Sequence, residues 1–403
     1  MERLAIDGGT PVFGEKKVRD FFPSWPIPYP ETEQKLIDIF RSGKWGGCAT
    51  YEQLLMTEFA KYQGSRYSVW MCNGTTTLEC ALLALGIGRG DEVIVPGITW
   101  LATAEVALYI GATPVIVDVE PETMCMDPAA FEAAITPRTK AVIPVHIYSG
   151  LANMPAIMRI AQRHNLAVIE DCAHAHGARQ KGKGVGSYGK IGSFSFQLSK
   201  LMTAGEGGCC TTDDEELFDR LFRLSHIGSS QLHPGTKPDP SLLCRQYRFT
   251  DFQAAIIYDQ LQHQPENFAR RKANLARMAE LIKDVPGIKL QESAYADDER
   301  ASYFFTLLLK LEELHDGIDR DQVRKALAAE GFDNLFYGWA APLYKSTLWN
   351  ISEDQYIKHE TPNSETLMYQ RVMTCGHALL LGSQEGIEKC AQAIRKVMSA
   401  YAG

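Results

Sequence analysis

Lys200 stands at the end of Gly192-Ser193-Phe194-Ser195-Phe196-Gln197-Leu198-Ser199-Lys200, just ahead of Gly205-Glu206-Gly207-Gly208. Small and aromatic neighbours keep water from an ammonium group, which disfavours its charged form. The neutral amine is the form that attacks a carbonyl to make a Schiff base. Upstream, Asp171 closes the apolar run Leu166-Ala167-Val168-Ile169-Glu170. A carboxylate at a buried strand end either caps the turn or holds a ring nitrogen protonated, so that the ring accepts electrons. Asn73-Gly74-Thr75-Thr76-Thr77 joins a strand pattern to a helix pattern. Its glycine allows close backbone approach, and the unpaired N–H groups of a helix start attract an anion such as phosphate. The same residues also suit a simple N-cap turn. Trp100 follows Pro96-Gly97-Ile98-Thr99 and offers an indole either to a flat ring or to the core. An anion cup, a stacking aromatic, an acid and a lysine, in that order, describe a site for a phosphorylated heterocycle that reacts with amines.

Other motifs add less. Ser195 can donate to a phosphate oxygen, and Gly205–Gly208 would let a hairpin pass close to a ligand. Arg245-Gln246-Tyr247-Arg248 either meets an anion or heads a solvated helix. His174 and His176 lie near Asp171, but that set has no further strong ligand and no His-x-x-x-His frame, so no metal is expected. Gly184-Val185-Gly186-Ser187-Tyr188-Gly189 spells the dinucleotide-binding fingerprint, yet it follows the polar run Arg179-Gln180-Lys181-Gly182-Lys183 where a strand is required.

The elements that must position these residues alternate between about 65 and 212. Strand patterns fall at 67–71, 92–95, 114–118, 141–145 and 166–170, and helical patterns at 75–85, 101–110, 128–135 and 154–164. Wholly apolar strands separated by helices predict a mostly parallel sheet covered on both faces, with ligands beyond the carboxyl ends of the strands. Asn73, Trp100, His146 and Asp171 all fall at or just past such ends. A long helix over 252–278 leads to a strand at 302–309 and helices at 321–330 and 385–400, a smaller α+β unit. The proline-rich segment 22–30 predicts an extended arm over the body. The expected division is an arm at 1–30, a large α/β domain at 31–265 and a small C-terminal α+β domain at 266–403.

With 403 residues there is ample chain for a large core. A net charge of −8 argues against nucleic acid as a main partner, since phosphate backbones need clustered cations. No apolar run approaches the roughly 20 residues of a membrane span, and the first residues carry charges where a signal peptide is apolar. Ten scattered cysteines without a Cys-x-x-Cys spacing read as buried thiols of a reducing compartment, the cytoplasm.

Taken nearly end to end, the chain resembles the DegT/StrS family of sugar and aminocyclitol aminotransferases. The resemblance runs through Leu4-Ala5-Ile6-Asp7-Gly8-Gly9-Thr10-Pro11, Gly90–Pro96, Gly111–Asp118, Glu170–Gly177, Phe194–Gly208 and Tyr247–Ala255. It implies fold-type I, pyridoxal 5′-phosphate (PLP) as cofactor, and Lys200 and Asp171 as catalytic residues. By the same resemblance Lys200 forms the Schiff base, Asp171 engages the pyridine nitrogen, and Trp100 stacks on the ring. Gly74, Thr75 and Ser195 hold the phosphate, His174 lies near the phenolic oxygen, and Gln246 and Arg248 reach into a neighbouring subunit's site. A homodimer with shared sites follows. The family commonly has Asn where Gln246 stands, and a Leu-Pro segment where this chain has Val372–Ala378. The opening arm, His174-Ala175-His176-Gly177 and Leu379-Leu380-Leu381-Gly382 resemble members that act on keto-cyclitols of the scyllo-inosose type, in aminocyclitol, amino-sugar or antibiotic biosynthesis. Glutamate or glutamine would be the amino donor. Alternatives are a free or nucleotide-linked keto-sugar acceptor, an aromatising or dehydrating reaction of the aminohydroxybenzoate synthase type, and a non-catalytic sensor. Family dehydratases carry His where Lys200 stands.

Overall fold

The computed structural model describes residues 2–402. Its centre is an eight-stranded sheet. The chain contributes β1 (Tyr67–Met71), β2 (Glu92–Pro96), β3 (Thr113–Val117), β4 (Thr139–Val142) and β5 (Ala167–Asp171), then a small hairpin of β6 (Arg179–Gln180) and β7 (Lys183–Gly184). It returns to the sheet with β8 (Ile191–Ser195) and β9 (Gly208–Thr212). A distant two-residue strand, β12 (Ile357–Lys358), completes the edge, giving the order β1-β9-β8-β5-β4-β2-β3-β12. Strand β9 pairs antiparallel with both its neighbours, and the remaining pairings are parallel. The expected strands are present to within a few residues. The β8–β9 hairpin was not legible as strand, because Gly192, Ser193 and Thr211 dilute its apolar signal.

The helices are α1 (Pro30–Ser42), α2 (Thr50–Gln63), α3 (Gly74–Ala84), α4 (Ala102–Tyr109), α5 (Pro128–Ala133), α6 (Met154–Arg163) and α7 (Glu215–Ser225). They continue with α8 (Asp251–Ile282), α9 (Arg320–Ala329), α10 (Pro362–Thr366) and α11 (Gln384–Tyr401). Period-two alternation distributes the sheet between two cores. Val69, Val93, Val95, Ile169 and Ile191 pack on α3, α4 and α7 through Leu78, Leu82, Val106 and Leu221. Their neighbours Trp70, Ile94, Val142, Val168 and Phe194 pack on α2, α6 and α8 through Phe59, Ile157, Ile257 and Leu261. Both faces are covered, which is why the strand runs are apolar throughout.

The smaller unit has an antiparallel sheet of β10 (Ile288–Leu290), β11 (Phe304–Leu309) and β13 (Val372–Gly376), packed on α9, α11 and the end of α8. Leu4, Phe13 and Val18 from the start of the chain enter that same core. Glu330, completely buried, fixes them: its carboxylate accepts from Ala5 N at 2.8 Å and Val12 N at 3.0 Å, and meets Lys396 Nζ at 2.9 Å. No described helix is long and apolar enough to cross a membrane.

Candidate active site

Strands β1, β2, β4, β5 and β8 end on one side of the sheet, and the residues that follow them surround a cavity of about 500 Å³. Gly74, Thr75, Trp100, Asp171, His174, Ser195 and Lys200 all line it. Gln246 and Arg248 do not; both are exposed, on the segment that leads into α8. Thr103 and Tyr303 also line it and escaped the sequence reading; Glu206 lines it from the Gly205–Gly208 stretch expected near a ligand, and Trp339 from the loop 336–344, which reads as a pocket wall that the sequence cannot place. Tyr303 lies at the start of an apolar strand run and Trp339 in an irregular loop, so neither carries a local signature.

At the head of α3 the cap and the cup are the same structure. Asn73 Oδ1 accepts from Thr76 N at 2.9 Å, an N-cap that leaves the first N–H groups of the helix facing the cavity side. Space here exists only because two residues are glycine. A Cβ on Gly74 would lie 2.8 Å from Ser195 Cβ, and one on Gly208 would lie 2.2 Å from Asn73 O. Ser195 Oγ has a single long contact, accepting from Gln197 N at 3.4 Å.

Asp171 is buried, with Oδ2 accepting from Thr103 Oγ1 at 2.9 Å and Oδ1 from Ala173 N at 3.1 Å. Thr103 is itself tied to Thr99 at 2.7 Å. Burial raises the Asp171 pKa, against the opposing pull of Ala173, Thr103 and the Lys200 ammonium. Lys200 is half-buried among the cavity walls. Desolvation lowers its pKa from 10.5 to about 8, with Asp171 opposing. Its Nζ sits 4.7 Å from the centre of the Tyr303 ring, and Tyr303 Oη is 2.8 Å from Ser199 Oγ.

Tyr303 also stacks on His174, with ring centres 3.8 Å apart and planes at 16°. His174 Nδ1 accepts from Tyr148 N at 3.2 Å, which leaves its proton on Nε2. Burial first, and Lys200 second, hold His174 neutral, with its pKa well below the usual value. Trp100 is 47% exposed and faces Trp339 across 6.0 Å, so two indoles flank the cavity. The arrangement suits a flat, anionic ring with an electrophilic carbon near Lys200.

The histidine and glycine motifs resolve differently. His176 donates from Nε2 to Ser195 O at 2.9 Å and braces β8. Gly186 N and Gly189 N donate to the buried Glu170 carboxylate at 2.8 and 2.7 Å, so the Gly184–Gly189 loop wraps a carboxylate of its own chain. His146 Nε2 approaches the same carboxylate at 3.3 Å.

Comparison with known proteins extends this reading. The chain is 36% identical, over 98% of its own length and 97% of the relative's, to L-glutamine:2-deoxy-scyllo-inosose aminotransferase of Streptoalloteichus tenebrarius. An aminotransferase from Psychrobacter cryohalolentis superposes with a TM-score of 0.86 at 31% identity, covering 94% of this chain and 99% of that one. The 3-amino-5-hydroxybenzoic acid synthase structure superposes at 0.82 with 28% identity, covering 94% and 99%. The DegT/DnrJ/EryC1/StrS aminotransferase profile matches residues 29–395, and the chain belongs to that family of pyridoxal-phosphate-dependent aminotransferases.

Proposed function

We propose that this protein moves the amino group of L-glutamine onto a cyclic polyhydroxy ketone of the scyllo-inosose type. The observation that carries the acceptor class is near-full-length similarity to an enzyme named for that donor and that ketone. The residues present fit PLP. In this reading Gly74, Thr75 and Ser195 hold the phosphate at the start of α3, where the glycine leaves room for it. Asp171 would meet the ring nitrogen and Trp100 would lie against the ring, since both line the cavity. When bound, PLP withdraws electrons from the carbon that bears the amine, so that a proton there becomes acidic. Lys200 Nζ, with a pKa of about 8, takes up that proton and returns it. Thr103 and Ala173 donate to Asp171 and favour its charged form, which would hold the ring nitrogen protonated. Tyr303 and His174 form a wall that limits water around Nζ.

The same reading makes the protein a homodimer. Phe40 and Trp45 are 65% and 50% exposed and stack at 5.8 Å, and Trp45 O accepts from Asp251 N at 3.0 Å. This exposed aromatic patch borders the Arg248 segment, as expected if Gln246 and Arg248 reach a partner's cavity. All ten cysteines are free, which favours a reducing cytoplasm. The arm at 1–30, the large domain at 31–265 and the small domain at 266–403 remain our proposed division, with the last boundary at Pro265 inside α8.

The test is visible absorbance of the PLP-loaded protein, titrated with glutamine or glutamate and then with ketones. Bleaching by glutamine and recovery with 2-deoxy-scyllo-inosose are expected. Recovery only with a nucleotide-linked keto-sugar would move the acceptor to that class. An aromatic ultraviolet product without amino transfer would favour the synthase chemistry instead, and turnover by Lys200→Ala would remove Lys200 from the reaction. Sedimentation of the wild type as a monomer would rule out the dimer.

A further inference from the structure

We infer that Arg271, acting through Trp25, Gln264 and His377, is a positioning residue that clamps the turn bearing Lys200. The inference rests on the role proposed above for Lys200. That turn has little regular structure of its own. Lys200 N donates to Gln197 O at 2.8 Å, and Ser199 N and Oγ both donate to Gln197 Oε1, at 2.9 and 2.7 Å. The carbonyls on either side of the lysine are held from outside. Leu198 O accepts from Trp25 Nε1 at 3.1 Å, and Leu201 O accepts from Gln264 Nε2 at 3.0 Å.

Both donors converge on one guanidinium. Arg271 Nη1 donates to Gln264 Oε1 at 3.2 Å, Nη2 donates to His377 Nδ1 at 3.3 Å, and the group lies 5.9 Å from the Trp25 ring. His377 packs edge-on against Trp25, with ring centres 4.4 Å apart at 82°. Three separate parts of the chain thus meet behind the lysine: the proline-rich arm, the middle of α8 and the segment after β13.

Arg271 is 1% exposed and pairs with no carboxylate among the described residues. A buried cation without a counter-charge is expensive, and an apolar side chain of similar size would fill the space at less cost. Burial lowers its pKa from 12.5 to about 10, so it stays charged at neutral pH, and beside it His377 stays neutral. What a methionine could not do is grip two acceptors at once with a rigid planar fork. Those acceptors lead to the lysine turn: Gln264 donates to Leu201 O, and His377 packs on Trp25, whose indole donates to Leu198 O.

Three variants test this. Trp25→Phe keeps a ring against His377 and Arg271 and deletes only the donor to Leu198 O. Arg271→Met removes the fork, and Arg271→Lys keeps the charge without it. The first readout is amide hydrogen exchange across 197–204 in PLP-free protein, which needs no activity. Trp25→Phe is expected to speed exchange there by about tenfold while the melting temperature stays within about 2 °C of wild type. In loaded enzyme the glutamine half-reaction should slow by about tenfold with an unchanged KM, as expected for a displaced reacting group. Arg271→Met should do more, and Arg271→Lys should not restore it. Wild-type exchange and wild-type half-reaction rates in Trp25→Phe would overturn the clamp, even if Arg271→Met fails to fold. Loss of the Lys200 assignment is a separate result, shown by Lys200→Ala keeping the glutamine response, and it would leave the exchange measurement standing.

Discussion

Replacing Lys200 by methionine removes an amine that the fold keeps from bulk water, and the PLP-free protein should become more stable at neutral pH as a result. The folded pKa is about 8 against the usual 10.5. Below pH 8 both folded and unfolded chains carry the proton, and the folded state bears the full cost of the poorly solvated ammonium. Between pH 8 and 10.5 the folded chain has lost the proton that the unfolded chain still holds. Unfolding then takes up a proton, and wild-type stability rises with pH through that window. That difference corresponds to about 3 kcal/mol at most. Water in the open cavity and the lost attraction between Lys200 and Asp171 reduce this to about 1–2 kcal/mol. At about 2.1 cal/mol/K per residue, that is a rise of about 1–2 °C in melting temperature for a chain of this length. Calorimetry of both proteins at several pH values gives the difference directly, and other groups cancel in it. A variant less stable than wild type at pH 7, or a gap that does not shrink between pH 8 and 10, would refute the desolvation argument.

Gly74→Ala places a Cβ 2.8 Å from Ser195 Cβ. PLP affinity should fall at least about tenfold, measured by fluorescence titration, because helix and strand must part where the phosphate is expected to bind. Thr103→Val deletes the donor to Asp171 Oδ2, a charged hydrogen bond worth about 1.5–3 kcal/mol. It should raise the Asp171 pKa further and move the acid limb of the half-reaction rate to higher pH. Tyr303→Phe keeps the ring beside Lys200 Nζ and should change kcat by less than about fivefold, whereas Tyr303→Ala opens that wall and should cost about a hundredfold. Glu170→Gln turns an amide group toward Gly186 N or Gly189 N, both donors, and should cost about 3 kcal/mol in chemical denaturation.

Most of the cavity was readable from local signals because a parallel sheet places its chemistry at strand ends. Asn73-Gly74, Trp100, Asp171 and Lys200 each stand within a few residues of a visible apolar run, so their convergence follows from topology. Tyr303 and Trp339 arrive from the smaller unit, where a tyrosine just before β11 reads as core and a tryptophan in an irregular loop carries no local sign of which wall it forms. Helices α1, α2 and α7 were not picked out, although Asp214 caps α7 in the usual way. The arm at 22–30 was expected as an extended cover. That its indole donates to a carbonyl beside Lys200 depends on a contact spanning more than 170 residues, which no local pattern encodes. Arg271 was invisible for a related reason: in sequence it is one of two adjacent arginines on a long helix, and only burial distinguishes it from its exposed neighbour.

The insertion of Leu4, Phe13 and Val18 into a core completed by α11 has a consequence for synthesis. These residues leave the ribosome long before their packing partners Val397 and Met398. At about 5–20 residues per second the interval is on the order of 20–80 s, during which the large sheet can form but the leading segment has no core to join. For that time a short apolar segment hangs free beside a folding sheet. A chaperone that binds nascent apolar segments would find its target between Leu4 and Val18, and a nascent chain arrested before α11 should remain open to protease in that stretch.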